Sequence, residues 1–523
     1  MVKKILFAAI VFSFLGTKAQ VYYENIAGIL NTRCVNCHNQ YGHVDLRGYS
    51  NAVANAPNIA AYLQSGYMPP WPPDTTYTRF VHERLINNSE KNAVINWVNG
   101  GTLYQDTTLA PQAPAYSKYQ LSGTPSLVLT IPTFTSGATN ADKYYCFSLP
   151  MGTTQDEVLR AFEIIPGDPS IVHHVVVNID TTGTVASDMS GSCFTEPGQF
   201  SIGGYAPGGE PLIFPSGQAL KLGMRLKAGS RVIMQIHYPR GTAGKVDSTC
   251  IRMYFYPQGT TGIRHLTAKT ILQNWSMSIP ANTTKTYTSQ YPTSGTLSSH
   301  QSLYATFPHS HNICTSLFNW ADSIGGTHTI PLVRINNWDF NWQGYYTYHN
   351  MVKVPKGYNI RSSHFFDNTT NNPTNPNPAN VIAGTSTSNE MLFDAYMYTN
   401  YMPGDENISI DSLLMGDSLL MNSVPSYSQP QSMRVGVYPN PFSDKVNIVY
   451  DLSKSSDVSI SIFNVFGQEV AKVPSTHEFK GIQEHEWDGR NTNGVPCAPG
   501  MYTYRLTIDN SVYSGKIILK AKN

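Results

Sequence analysis

Apolar residues change their spacing several times along the chain, and each change marks a new kind of element. A largely apolar run covers 5–16, behind Lys3 and Lys4. It falls short of the roughly 20 apolar residues that a bilayer crossing needs. Ile26, Ile29 and Leu30 then fall at helical spacing. A second helix is predicted ahead of Gly100-Gly101, capped by Asn88 or Ser89, with Val94, Ile95, Trp97 and Val98 as its apolar face. From 125 to 405 short alternating stretches, such as 126–131, 172–179, 231–238 and 251–256, lie between Gly, Pro and Asn turns, with no long amphipathic helix among them. This pattern predicts β-sandwiches. The region is longer than one sandwich usually needs, so two are expected, dividing near 265. Alternation returns over 446–450, 458–463, 502–508 and 514–519, as a separate small sandwich would show. Polar stretches over 106–124 and 406–432 read as linkers.

The expected chain is therefore multidomain and mainly β. Its parts are a leader over 1–19, a helical domain over 20–105, a linker over 106–124, β-sandwiches over 125–265 and 266–405, a linker over 406–432 and a β-sandwich tail over 433–523. Thr17-Lys18-Ala19 supplies a small-residue cleavage site, so 1–19 reads as a secretory signal peptide. The mature chain is expected to have no transmembrane segment. Lys and Arg number 35 against 34 Asp and Glu, only 13% of residues are charged, and no basic stripe occurs. That argues against nucleic acid as a partner.

The string Cys34-Val35-Asn36-Cys37-His38 is a c-type haem attachment pattern: two thiols add to the haem vinyl groups, and the next residue offers an imidazole to the iron. A zinc site would need further ligands at short spacing, and His43 and His82 are isolated. The region resembles a small cytochrome c domain. The resemblance implies one covalently bound haem c, with His38 and Met68 as axial ligands. Met68 lies in the tight segment Gly66-Tyr67-Met68-Pro69-Pro70-Trp71. His82 is the competing ligand. A Met/His pair raises the haem potential and suits electron transfer.

Three histidine motifs follow: His173-His174 on an apparent strand, His237 in Met234-Gln235-Ile236-His237-Tyr238, and His309-Ser310-His311. Residues two apart on a strand face one side, so His309 and His311 can share a metal. His173 and His174 can do so only at a bulge or a strand end. In order, and followed by 384–391 ending in Met391, these motifs resemble the copper type II, ascorbate-dependent monooxygenases, the family of the peptidylglycine and dopamine hydroxylases. Further stretches fit the resemblance: 145–150, Ala206-Pro207-Gly208 with the segment up to Gly223, 337–343, and 366–368 with Asn372-Pro373.

The resemblance covers about residues 140 to 400. It implies two copper ions between two jelly-roll-like β-sandwich domains. His173, His174 and His237 match the electron-delivering copper, and His309, His311 and Met391 the copper that reacts with O2, where catalysis occurs. Met397 is the rival of Met391. The implied reaction is hydroxylation of a C–H bond in a small-molecule or peptide-like substrate. The haem is the expected electron source, with ascorbate as a supplement or alternative. Phe307 stands where the peptide-amidating members carry a substrate-binding arginine, so a glycine-extended peptide is not expected. Cys146 and Cys250 match a family disulfide. Cys193, Cys314 and Cys497 receive no pairing, and Cys314 is a further candidate copper ligand.

In the tail, Val437-Tyr438-Pro439-Asn440-Pro441-Phe442, the segment 462–467 and Pro499-Gly500-Met501-Tyr502 resemble the C-terminal sorting domain of the type IX secretion system. That implies export by this machinery in a Bacteroidetes-type bacterium, to the cell surface or the medium. The combined expectation is a secreted copper monooxygenase with a fused c-type haem. A non-catalytic haem/copper electron carrier and a surface binding protein are the alternatives.

Overall fold

The computed structural model describes residues 20–419 and 435–521, apart from 43, 108, 109, 192, 194–197, 416, 453, 465–467 and 510. The expected signal peptide, His43 and most of the second half of 406–432 lie outside the described residues. The chain divides into two compact units, Met1–Pro425 and Ser426–Asn523.

In the first unit, helices Tyr23–Arg33, Gly48–Ala54, Ala56–Ser65 and Asn88–Asn99 come first. They bury Ile26, Leu30, Ile59, Leu63, Val94 and Trp97 together. The last helix is capped by Asn87, not by Asn88 or Ser89. Asn87 accepts from Glu90 N–H (2.9 Å) and Glu90 accepts from Asn87 N–H (3.0 Å), a reciprocal capping box.

Strands then dominate. One sheet is ordered Leu127–Thr130, Cys250–Phe255, Glu157–Ile165, Leu222–Leu226, Arg264–His265. A second is ordered Lys143–Pro150, Arg231–Tyr238, His174–Asp180, Gln199–Tyr205. Phe147, Phe162, Val177, Met224, Met234 and Met253 belong to their common core. Two further four-stranded sheets follow: Thr267–Asn274, Leu392–Asn400, Gln301–Phe307, Tyr346–Val354, and Thr283–Tyr291, Tyr358–Asn368, Cys314–Ser323, Thr329–Ile335. Leu303, Leu317, Val333, Ile360 and Phe366 fill the space there. The two pairs of sheets adjoin. Tyr304, Met351 and Met397 join the first core, and the Tyr304 hydroxyl donates to Ile213 O (2.9 Å). Met397 is thus wholly buried core.

Residues 74–81, expected within the helical domain, and the first part of the expected 406–432 linker pack onto the later strands. Asp74 N–H donates to Arg334 O (2.8 Å) and Val81 N–H to Thr347 O (2.8 Å). Phe80 is wholly buried in the second core. The linker expected over 406–432 begins with a short turn, Asp405–Asn407, and a helix, Ile410–Met415. Asp417 accepts from Arg160 (2.6 Å), and Ser122 donates to Leu419 O (3.0 Å). Ile410, Leu414 and Leu419 are buried, too sparse among Asp and Ser to give a period.

The Cys146–Cys250 pairing is corrected. Cys146 bonds Cys193, with Cα atoms 6.1 Å apart, and Cys250 is free. The strand carrying Cys146 and the strand opened by Cys250 lie in different sheets. Cys146 and Asp188 exchange backbone hydrogen bonds (2.9 and 3.0 Å), which lays the segment before Cys193 along the Cys146 strand.

The second unit has a three-stranded sheet, Gly436–Tyr438, Val446–Leu452, Gly481–Trp487. Its four-stranded partner is ordered Glu469–Glu478, Ser456–Phe463, Gly500–Ile508, Ser511–Leu519. Phe442, Val446, Ile448, Leu506 and Ile517 form its core.

Two expectations follow. Peptide mapping under non-reducing conditions should recover Cys146 linked to Cys193 and alkylated Cys250. Cys146→Ser should lower stability by up to about 4 kcal/mol, the chain-entropy value for so long a loop. The second concerns Asp405, which is buried beside Arg264 (2.6 Å). Burial pushes its carboxyl up, but Arg264, Met402 N–H and Ser302 outweigh burial and hold it below its ordinary value. Its stabilisation is then present above the unfolded pKa and lost as pH falls through the lower folded one. Acid melts should show wild-type stability declining below about pH 4, with Asp405→Asn losing about 2 kcal/mol at neutral pH and the acid-dependent part with it.

Candidate metal and haem sites

Among the described residues, His173, His174 and His237 bring three ligand atoms within 4.8 Å of one another. The strand expected over 172–179 begins only at His174, so His173 sits at a strand end. Its N–H donates to His237 O (3.0 Å), and His174 is the cross-strand partner of His237. Leaving the pleat lets neighbours face one way. His174 Nδ1 lies 3.1 Å from His173 Nδ1 and 3.3 Å from His237 Nδ1. Three nitrogens each about 2.0–2.1 Å from one ion sit about 3.3–3.5 Å apart, so this spacing fits a metal. Asp142 Oδ2 takes the far side of His237 at Nε2 (3.1 Å), which leaves Nδ1 as the lone-pair atom. The Tyr144 ring stacks on His237 at 4.4 Å. Burial, then the His173 charge, pushes His237 down to about 4, against the pull of Asp142. Burial, then His237, His173 and His309, pushes His174 well below its usual value. Neutral imidazoles are what a metal requires.

His309 thus makes itself felt at His174 from the adjoining sheets. His309 and His311 occupy the connection between Gln301–Phe307 and Cys314–Ser323, so strand alternation is not what aligns them. Their rings are 5.2 Å apart and nearly perpendicular. His311 Nδ1 donates to Asn389 O (3.0 Å), and His309 Nδ1 bonds Gln343 Oε1. Each imidazole keeps Nε2 for a ligand. Burial, then His311, pushes His309 down to about 3.

Met391 is buried at the foot of strand Leu392–Asn400. Its N–H and that of His311 donate to the same Glu390 oxygen (3.0 and 2.9 Å), and its carbonyl accepts from Ser310 Oγ (2.6 Å). Met391 is therefore stapled to the His309–His311 turn through its backbone. Burial raises the Glu390 carboxyl to about 7, although several backbone N–H groups oppose it.

Sequence reasoning missed a strut behind this turn. Ser310 Oγ bonds His364 Nδ1 (2.8 Å), His364 Nε2 bonds Asp394 Oδ2 (3.0 Å), and Asp394 Oδ1 accepts from His309 N–H (3.1 Å). Ser310, His364 and Asp394 are all 0% exposed, so this Ser-His-Asp chain meets no substrate. Single residues this far apart in the chain, one in a turn and two on separate strands, leave no local signal. Cys314 is buried behind the same turn, its thiol directed to Ser316 O (3.6 Å).

At the haem motif, Cys34 N–H donates to Leu30 O and His38 N–H to Cys34 O (both 2.9 Å), so the motif forms a turn directly after the end of helix Tyr23–Arg33. Both thiols are free. His38 Nδ1 donates to Val44 O (3.2 Å), the kind of carbonyl contact that orients a metal-binding imidazole. Burial lifts the Cys34 thiol to about 12. These groups fit covalent haem. Met68 is half-buried, its N–H on Tyr62 O (3.3 Å), while neighbouring Tyr67 meets Trp342 at 5.8 Å. The rival His82 is taken up by Glu210 (3.0 Å).

Residues 436–520 match the secretion system C-terminal sorting domain family. The chain thus ends in a sorting domain of the type IX system, which marks it for export to the cell surface or the medium of a Bacteroidetes-type bacterium. No curated protein matches the chain. Among solved structures, PorZ of Porphyromonas gingivalis, a surface component of the type IX secretion system, aligns at 19% identity and TM-score 0.13, over 24% of this chain and 14% of its own. Latent PorU of the same organism aligns at 10% identity and TM-score 0.16, over 72% and 34%. A Parabacteroides merdae β-glucuronidase aligns at 8% and 0.13, over 45% and 27%. The chain thus spans about a third or less of each, and at these TM-scores no shared fold follows.

Asp142→Asn should weaken metal binding at the three-histidine cluster about 10–100-fold, read by competition with a chromophoric chelator.

Proposed function

We propose that this exported protein is a copper-dependent monooxygenase that hydroxylates a C–H bond of an organic substrate with O2, and that its c-type haem delivers electrons. The carrying observation is the convergence of the His173, His174 and His237 nitrogens at metal-ligand spacing, with the His309 and His311 rings 5.2 Å apart on a second turn. His173, His174 and His237 would hold one copper, and His309, His311 and Met391 the other. Imidazole suits both copper oxidation states, and a thioether favours the reduced one. Bound copper supplies one-electron chemistry and O2 activation.

The residues around the second site support this reading. Gln343 and Asn389 fix the histidine tautomers. Glu390, Asp394 and the Ser310–His364 pair hold the turn rigid. Phe307, Tyr345, Phe340 and Phe393 form an aromatic surround: Phe307 stacks near His309 (6.0 Å) and Phe340 lies 5.7 Å from His311. With Phe307 in place of a guanidinium, a carboxylate has no partner there, and a neutral, apolar group is the better fit. Cys34, Cys37, His38 and Met68 would hold the haem in a cytochrome c-like domain, and the tail would engage the secretion machinery.

The test is metal and haem stoichiometry of the mature protein, made in a host that attaches haem. Two coppers and one haem per chain are expected. His309→Ala should keep one copper and abolish substrate-dependent O2 uptake. One haem without tight copper would sink the monooxygenase reading.

A further inference from the structure

Among the described residues, the haem-attachment turn meets the first sandwich where Cys37 lies against Gly208. The Cys37 thiol donates to Gly208 O (3.3 Å), whereas Cys34 packs into the helical core. Gly208 has φ +73°, and a Cβ there would overlap the Cβ and Sγ of Cys37. Only glycine allows this approach. The contact is braced on both sides. Gly209 N–H closes a tight turn onto Ala206 O (2.7 Å), Gln120 donates to Gly209 O (3.3 Å), and Glu210 pairs with His82 (3.0 Å). This turn directly follows strand Gln199–Tyr205, whose last residue, Tyr205, is the cross-strand partner of Val175, next to His174. From Gly208 to Tyr205 the backbone spans at most about 11 Å, and the cross-strand step to Val175 adds about 5 Å. Burial and then the nearby Cys37 thiol raise the Tyr205 phenol to about 12, as a side chain close to Cys37 would show.

We propose that the Tyr205–Gly208 segment is the port through which one electron passes from the Cys37 edge of the haem to the ion held by His173, His174 and His237. This rests on the function proposed above. The step is a single-electron exchange: ferrous haem becomes ferric and Cu(II) becomes Cu(I). The haem is reloaded by an external one-electron reductant, such as ascorbate.

The test uses the full chain with haem attached and copper loaded. Oxidised protein is mixed without oxygen with less than one equivalent of reductant. Haem absorbance then follows haem reoxidation, and electron paramagnetic resonance follows the loss of Cu(II). Gly208→Ala should slow the transfer about tenfold to a hundredfold, with the haem midpoint potential and the copper stoichiometry unchanged. Glu210→Gln, which removes the brace and not the contact, should slow it by less. Wild-type transfer rates in both variants would overturn the port while leaving haem–copper coupling intact. No transfer in the wild type would instead remove the coupling itself, and the port with it. If Gly208→Ala fails to take up haem or copper, Glu210→Gln decides: an unchanged rate overturns the port, and a slowed one supports it.

Discussion

The three-histidine cluster hangs on the register in which His174–Asp180 pairs with Arg231–Tyr238. His174 stands opposite His237, and the rest of the ladder follows down to Asp180 opposite Arg231. A slip by one residue would turn every side chain to the other face. Val175, Val177 and Ile179 on one strand, with Val232, Met234 and Ile236 on its partner, are all within 1% of complete burial. Misregister would put this apolar surface into water, so the core that stabilises the sheet is also what aims the imidazoles.

The second cluster is held differently. His309 and His311 lie outside the strands, and what fixes them is a set of buried polar groups with no water to compete. Glu390 gathers the N–H groups of His311, Ile313 and Met391. Asp394 takes the His309 N–H and, through His364, the Ser310 hydroxyl. Such networks are rigid only when complete, because a missing partner leaves a desolvated charge. One site is therefore positioned by apolar register and its neighbour by polar closure.

Much of the architecture was legible in the sequence because it is periodic. Alternation marked the β-rich region, and a Glu three residues past Asn87 suits the capping box, one or two residues ahead of the expected Asn88 or Ser89 cap. The haem string and the His-His and His-x-His motifs stood out because their spacing is short. Pairings across long sequence distances were not legible. Cys193 carries no mark that ties it to Cys146 rather than Cys250. Ser310, His364 and Asp394 are ordinary residues until strands bring them together. The docking of Phe80 and of Ile410–Met415 was hidden because a few apolar residues in a polar stretch set no period.

The segment around Phe80 bears on how the molecule is made. Phe80 pairs with Tyr348, and Pro73 with Ile335, as isolated bridges. Residues synthesised early must therefore wait for strands synthesised more than 250 residues later before their apolar side chains are covered. Such long-range closure is slow and leaves hydrophobic surface exposed meanwhile. For an exported chain, lateness of this kind means that the Pro73–Phe80 segment stays uncovered until the strands carrying Ile335 and Tyr348 are complete.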